Sequence, residues 1–371
     1  MQKKLRVGIL GAGLIAQLEH IPNILHLNDL YELVGIADAS ASVRNFFKNR
    51  QLPVYETPHQ LLNQAEPDAV FVCSPDCYHA DMIIDALKAG CHVFTEKPIC
   101  YTLEDVARIK HARDASGKIL QVGYMKRFDP AYLQLRDMLP TDGSTLRMVS
   151  VEVSDPDSMP YREHQGELAF ANDIPQAQRD EFRTRQHQQV AHALNGQPDE
   201  NSFRGFTGAY CSSLVHDVNL VHGLLKKMNV ATVGIESATF FANGDGGQAT
   251  VRLDKQTSLW QMMHLTLPKV AEYHERVTLY FDEAIYHLEF PSPWLNHFPT
   301  RLRVLTSNGH HFQKTEHRAS YKEAFVEEIK YFWETIVNNS TPLNTLEDAE
   351  RDTKLLVAMG RTALTNEIRQ I

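Results

Sequence analysis

Cysteine is scarce in this chain and unsuited to pairing. Its five residues, Cys73, Cys77, Cys91, Cys100 and Cys211, are odd in number and include no CxxC spacing. That argues against a disulfide framework and for reduced thiols in a cytoplasmic protein. A structural zinc site would need a second ligand pair beyond Cys73 and Cys77, and the sequence offers none, so no metal is expected. No apolar run approaches the roughly 20 residues that span a bilayer. Met1-Gln2-Lys3-Lys4 leads straight into a strand-like segment, so the expected protein is soluble, not exported and without a membrane partner. Basic residues are also in deficit, 37 Lys and Arg against 46 Asp and Glu, for a net charge of -9. With no Lys/Arg stripe either, nucleic acid is excluded as a partner.

What is present is an ordinary globular composition, 43% hydrophobic and 22% charged, over 371 residues, a length that suits two domains. From residue 1 to about 125, short β-branched runs alternate with helical stretches, the pattern of a parallel sheet flanked by helices. The strands read as Leu5 to Leu10, Leu33 to Ala37, Ala69 to Cys73, His92 to Thr95 and Ile119 to Val122. Helices fall near Leu14 to Leu27, Ala41 to Asn49, Ala80 to Ala89, closed by Gly90, and Leu103 to Ala115. A second domain is expected over 126–371, and after about residue 145 the pattern turns to longer alternating segments: Leu146 to Val153, Val233 to Phe241, Ser258 to Leu267, Val277 to Phe281 and Ile285 to Phe290. These imply a mostly antiparallel sheet. Ser320-Tyr321-Lys322-Glu323 reads as a capping box opening a packing helix over about 321–338, with a second helix over about 346–368. Residues 155–205, polar and rich in Gln, His and Arg, form an insertion that reads either as a cover over the site or a subunit contact, or as plain surface.

Gly11-Ala12-Gly13-Leu14-Ile15-Ala16 lies between a strand and a helix, and Asp38 ends the second strand. Together they are the fingerprint of a dinucleotide site. Gly11 permits the tight turn, Gly13 admits the pyrophosphate to the backbone, and Ala16 allows close packing of helix on strand. Asp38 can accept from a ribose diol and repels a 2′-phosphate, which favours NAD; Arg44, six residues on, keeps NADP as the less favoured cofactor.

Three further segments close strands on the side where such sheets bind ligands: Ser74-Pro75-Asp76-Cys77-Tyr78-His79, Glu96-Lys97-Pro98, and Gly123-Tyr124-Met125-Lys126-Arg127-Phe128-Asp129-Pro130. With the glycine turn, and with a Gly-Ala-Tyr run leading to Val215-His216-Asp217, they resemble the glucose-fructose oxidoreductase and inositol dehydrogenase family, Gfo/Idh/MocA. The resemblance implies an N-terminal Rossmann doubly wound parallel sheet, then an α/β domain with a large open, mostly antiparallel sheet, assembled as a homodimer or homotetramer. It implies NAD held by Gly11, Gly13, Leu14, Ile15, Asp38, Ser74, His79, Glu96 and Lys97, and a cis peptide before Pro98. Lys97 and His216 become the catalytic candidates. An ammonium beside the reacting hydroxyl stabilises the developing alkoxide, and an imidazole near neutrality moves the proton.

The chain departs from the family pattern at two places: Ser212 stands where an aspartate is common four residues before the histidine, and Asn219 where one is common three residues after it. Ser212 cannot act as a base near neutral pH. Tyr124, Tyr210, Asp217, Tyr161 and His164 are the candidates to replace the missing carboxylate. Arg127 suits either a structural role or an anionic substrate; Trp294 reads as packing, with sugar stacking as the other use. The implied activity is transfer of hydride between NAD and a secondary alcohol of a sugar, cyclitol or sugar derivative. Redox-neutral glycoside cleavage by transient oxidation and a non-enzymatic nicotinamide-binding regulator are the alternatives.

Overall fold

The computed structural model describes residues 3–254 and 258–365. The chain divides discontinuously into two compact units, the first comprising Met1–Tyr124, Gln165–Ala193 and Phe325–Thr353, the second Met125–His164, Leu194–Ala324 and Lys354–Ile371.

The first unit carries six parallel strands: β1 (Leu5–Leu10), β2 (Tyr31–Ala37), β3 (Val54–Tyr55), β4 (Ala69–Val72), β5 (His92–Glu96) and β6 (Leu120–Gly123). Their spatial order is β3-β2-β1-β4-β5-β6, the doubly wound order expected of a Rossmann sheet. Five of the six coincide closely with the runs read from the sequence. The sixth, β3, is two residues long and half-buried, too short for any alternation to show. The helix after it, Pro58–Ala65, opens on a complete capping box between Thr57 and Gln60, a signal the sequence reading passed over.

The centre of this sheet is apolar on both faces because helices cover both. Phe71 and Phe94 stack with ring centroids 4.8 Å apart, and Phe332 meets each edge-on at 5.7 Å. Each such buried ring contributes about 1.5–3 kcal/mol. Phe332 comes from the helix Ala324–Val337, which is fastened to the first unit by Tyr31 Oη donating to the Ile329 carbonyl and Trp333 Nε1 donating to that of Lys3. This helix starts three residues later than the capping box predicts. Ser320 Oγ accepts from the Lys322 amide, and the Glu323 carboxylate accepts from the amide of His297, so the reciprocal bond never forms. The last described helix is Leu346–Thr365; the remainder of the expected 346–368 lies outside the described residues.

The second unit is built on eight strands: β7 (Leu146–Asp155), β8 (Thr232–Phe240), β9 (Gly246–Leu253), β10 (Leu259–Thr266), β11 (His274–Phe281), β12 (Ala284–Phe290), β13 (Arg301–Ser307) and β14 (Phe312–His317), ordered β14-β13-β12-β11-β7-β10-β9-β8. Among the described residues only the β7–β10 pair of this sheet is parallel, so the sheet is mostly antiparallel as expected. On β7, Val149, Val151 and Val153 alternate with less buried Ser150, Glu152 and Ser154, which marks the face turned to the core. Among the described residues no helix is long and apolar enough to cross a membrane.

Candidate functional site

In the first unit the predicted cofactor residues gather at the carboxyl ends of β1, β2, β4 and β5. Gly11 has φ +92°, and a Cβ there would lie 2.7 Å from the backbone of Ser74. Only glycine meets both demands, so the turn after β1 can press against the end of β4. A Cβ on Gly13 would meet nothing nearer than the Cys73 carbonyl oxygen at 4.0 Å, which leaves its backbone open to a ligand. Leu14 and Ile15 begin the helix that follows, and Ala16, fully buried, opens a π-helical stretch through His20. Asp38 reaches back to the turn, its Oδ2 accepting from the Ala12 amide at 2.8 Å and its Oδ1 from the Ser40 amide at 2.8 Å. Each oxygen keeps a lone pair for a ribose diol. These residues fit a bound dinucleotide, which would supply the hydride acceptor or donor.

Glu96 ends β5 in a buried position. Burial pushes its carboxyl up, but the hydrogen bond and charge of His20, 2.7 Å away, together with Lys97, hold it below its ordinary value. Glu96 is therefore charged and fixes the backbone at Lys97, whose amide donates to its Oε2 at 3.2 Å. The Lys97–Pro98 peptide is cis, as the resemblance implied, and Lys97 is half-buried. His79 is buried, with Nδ1 2.7 Å from the Pro98 carbonyl oxygen and Nε2 2.8 Å from that of Ser74. It ties two strand-end loops together. Two participants escaped the sequence reading. His20 is caged by Phe71, Phe94 and Phe325, and Glu328 is a buried acid pushed well above its ordinary value by burial and then by the charge of Glu96. Neither belongs to a local motif, and no spacing signals them.

The 155–205 insertion is not loose surface. Its central part belongs to the first unit: Arg185 donates to the Cys77 carbonyl and pairs with Asp81, and Gln186 and Gln189 reach Tyr101 and Cys77.

In the second unit His216 is the second residue of the helix Val215–Lys227. The ten residues before it, Gly205–Leu214, are π-helical, and Ser212 there is exposed. A helix of wider turn does not keep i, i+4 residues on one face as an α-helix does, so the face shared by 212 and 216 assumed from the sequence does not carry over. Tyr210 is buried with its hydroxyl donating to the Gln248 carbonyl at 2.8 Å. Burial holds its phenol up, and its proton serves the sheet. Tyr124, in the first unit, is likewise buried and pushed well above its ordinary value by burial, so it is no base. Arg127 is buried against Gly223, where a Cβ would lie 2.5 Å from its guanidinium carbon; it donates to Asn219 and lies over the Tyr132 ring. Trp294 stacks under Arg162 at 5.5 Å. Tyr161 accepts from the Tyr273 amide, and His164 is exposed.

Asp217, beside His216, is completely buried in a cluster the sequence did not reveal. Lys126 Nζ lies 3.4 Å from Asp217 Oδ1 and in direct contact with Glu275 Oε1, while Tyr273 Oη donates to Glu275 Oε2 at 2.5 Å. Burial lowers the Lys126 ammonium, but the two carboxyls hold it above its ordinary value. Burial and the neighbouring Glu275 charge push Asp217 far up, whereas Lys126 and the hydrogen bonds hold Glu275 down against burial. The surroundings thus favour the charged forms of Lys126 and Glu275 and the protonated form of Asp217. Asp217 is thus engaged with Lys126 inside this buried cluster.

The comparisons with known proteins follow this geometry. Residues 5–124 match the family model described as "Oxidoreductase family, NAD-binding Rossmann fold". An uncharacterized oxidoreductase of Bacillus subtilis (strain 168) is 23% identical over 92% of this chain and 89% of its own length. The inositol 2-dehydrogenase of Paracoccus denitrificans is 36% identical over 36% of this chain, and the match spans 40% of that enzyme. Among solved structures, a 3-ketoreductase from Actinomadura kijaniata in complex with NADP and TDP-benzene superposes with TM-score 0.71 and 21% identity, over 97% of this chain and 98% of that one. The last likeness is one of fold.

Proposed function

We propose that the chain is an oxidoreductase of the Gfo/Idh/MocA type, as the match over residues 5–124 supports, and that it moves hydride between NAD and a secondary alcohol of a sugar, cyclitol or sugar derivative. The observation that carries this reading is the gathering of the Gly11–Ala16 turn, Asp38, Ser74 and the Glu96-Lys97-Pro98 loop at one edge of the Rossmann sheet. Asp38 supports NAD over NADP, because both its oxygens face backbone donors and, among the described residues, no lysine or arginine pairs with its carboxylate. The polyol-type substrate rests on the relative named an inositol dehydrogenase and on the ketoreductase fold.

In this mechanism Lys97 stabilises the negative charge that builds on the hydroxyl oxygen as hydride leaves the carbon bearing it, since an ammonium interacts more strongly with an alkoxide than with an alcohol. Glu96, charged and anchored by His20, fixes the lysine backbone. His216 carries the proton.

The test is incubation with free sugars, cyclitols and aryl glycosides, following NADH and released aglycone separately. Lys97→Ala is expected to lower turnover at least a thousandfold, on the order of 4 kcal/mol, with NAD binding still measurable. Wild-type rates in that variant, or aglycone release without net NADH, would overturn the reading.

A further inference from the structure

The part of the insertion that crosses the cofactor edge of the first unit forms a strap over residues 166–175. Gln17, one turn into the helix after the glycine motif, holds it from below: Gln17 Nε2 donates to the Ala12 carbonyl at 2.7 Å and the Ala169 carbonyl at 2.9 Å, and Gln17 Oε1 accepts from the Ala169 amide at 2.9 Å. The same side chain thus binds the cofactor turn and the strap. Farther along, Ser42 Oγ lies 3.3 Å from the Phe170 carbonyl oxygen, and Arg50 pairs with Glu167.

The strap delivers a carboxylate to the ribose end of the site. Asp173 Oδ1 accepts from Ser40 Oγ at 2.5 Å and from Ser42 Oγ at 2.7 Å, and Asp173 Oδ2 accepts from the Ser42 amide at 3.0 Å. Ser40 is bound on its other side by Asp38, through its amide. Two carboxylates therefore flank Ser40, one from the end of β2 and one from the strap. The hydroxyls and amide that Asp173 occupies are the donors a 2′-phosphate would need beside Asp38. Arg44, the nearby cation, has Nη1 committed to the carbonyls of Asp38 and Ala39 at 2.7 and 2.8 Å. The serine bonds hold the Asp173 carboxyl far below its ordinary range, so it is charged at any physiological pH.

We propose that Asp173 is a cofactor-selecting residue: the strap places its carboxylate on Ser40 and Ser42, where it takes the donors a 2′-phosphate would use and repels that phosphate. This deepens the proposed function and rests on a nicotinamide dinucleotide binding at the Gly11–Ala16 turn. It also gives the insertion a purpose, since without residues 166–175 the serines at the head of the helix Ala41–Lys48 would face solvent.

The experiment is calorimetric titration of the full-length protein with NAD and with NADP separately, for the wild type, Asp173→Asn and Asp173→Ala. Melting curves establish that the variants are folded, and hydrogen exchange over 165–175 reports the strap. The wild type should prefer NAD. Each variant should narrow that preference about tenfold, through tighter NADP binding with NAD nearly unchanged, the size expected for one charge against a phosphate across several ångströms of solvent. Glu167→Gln, on the same strap but bound only to Arg50, should leave the ratio alone. A wild type that binds NADP as tightly as NAD overturns the NAD reading itself. A wild type that prefers NAD with an unchanged ratio in both Asp173 variants overturns the role of Asp173 and leaves the NAD reading standing. Equal loss of both cofactors also overturns selection, because it would make the strap a general clamp.

Discussion

Replacing Lys126 by Met tests whether one ammonium holds together the buried carboxyls of the second unit. Lys126 is 7% exposed, and Asp217 and Glu275 are 0% and 2% exposed, so little water is available to take over when the cation goes. Glu275 would remain charged with only Tyr273 Oη and the Asp217 carboxyl as donors. Removing one partner of a buried pair in this way costs about 3–5 kcal/mol, more than the pair itself contributes, because the remaining charge is stranded. At about 3 kcal/mol per molar urea, a slope suited to a domain of this size, the midpoint should fall by roughly 1–2 M. Urea unfolding followed by tryptophan fluorescence reads this directly, since Trp260 is buried in the second unit and Trp294 also lies there. The decisive arm is the cycle with Glu275→Leu. Lys126→Met/Glu275→Leu should recover much of the loss, because two apolar side chains leave Asp217 protonated with no charge beside it. A Lys126→Met loss under about 1 kcal/mol, or strictly additive single losses, would refute the account of the cluster.

Three other outcomes follow from the same kind of reasoning. Gly11→Ala puts a methyl 2.7 Å from the Ser74 backbone at φ +92°; it should destabilise the first unit by roughly 2 kcal/mol or more and abolish dinucleotide binding, read by calorimetry. Burial lowers His264 from its ordinary 6.5 to about 4, so the unfolded chain takes up that proton first and stability falls as pH drops from 6.5 to 4, by roughly 3 kcal/mol. His264→Phe should flatten that limb, and parallel pH profiles would contradict it. Glu328 is held protonated by burial and the Glu96 charge, so its contribution is present below about pH 4.5 and is lost as pH rises toward its folded value. The stability of Glu328→Gln relative to wild type should therefore grow from pH 5 to pH 9, and a constant gap would show that the acid is ionised in the native state.

The Rossmann unit was legible because its parallel strands are short apolar runs bounded by turn residues, and the glycine turn and Asp38 lie at spacings fixed by the fold. The eight-stranded sheet was legible only in part. β11 was placed from Val277 because Glu275 looks like a polar strand end, while in the fold it is a buried partner of Lys126. The strand Gly246–Leu253 opens with two glycines and β14 is nearly all polar, so neither shows a clean alternation. The π-helical run before His216 has no signature at a period of 3.6, and with it went the geometric meaning assumed for Ser212. Asp173 was read as part of a helix start; the helix does begin at Gln176, but the carboxylate serves Ser40 and Ser42, more than a hundred residues away in the chain.

The discontinuity of the first unit has a consequence for biosynthesis. When the ribosome has delivered residue 124, all six strands of the sheet exist, yet the helix that brings Phe332 against Phe71 and Phe94 is still roughly 200 residues from synthesis. At about 5–20 residues per second that wait lasts on the order of ten to forty seconds. Through it the nascent chain lacks the helix that covers Phe71 and Phe94, and any fragment ending at 124 would lack it for good. An expressible Rossmann unit must carry Phe325–Thr353, in cis or supplied as a separate peptide.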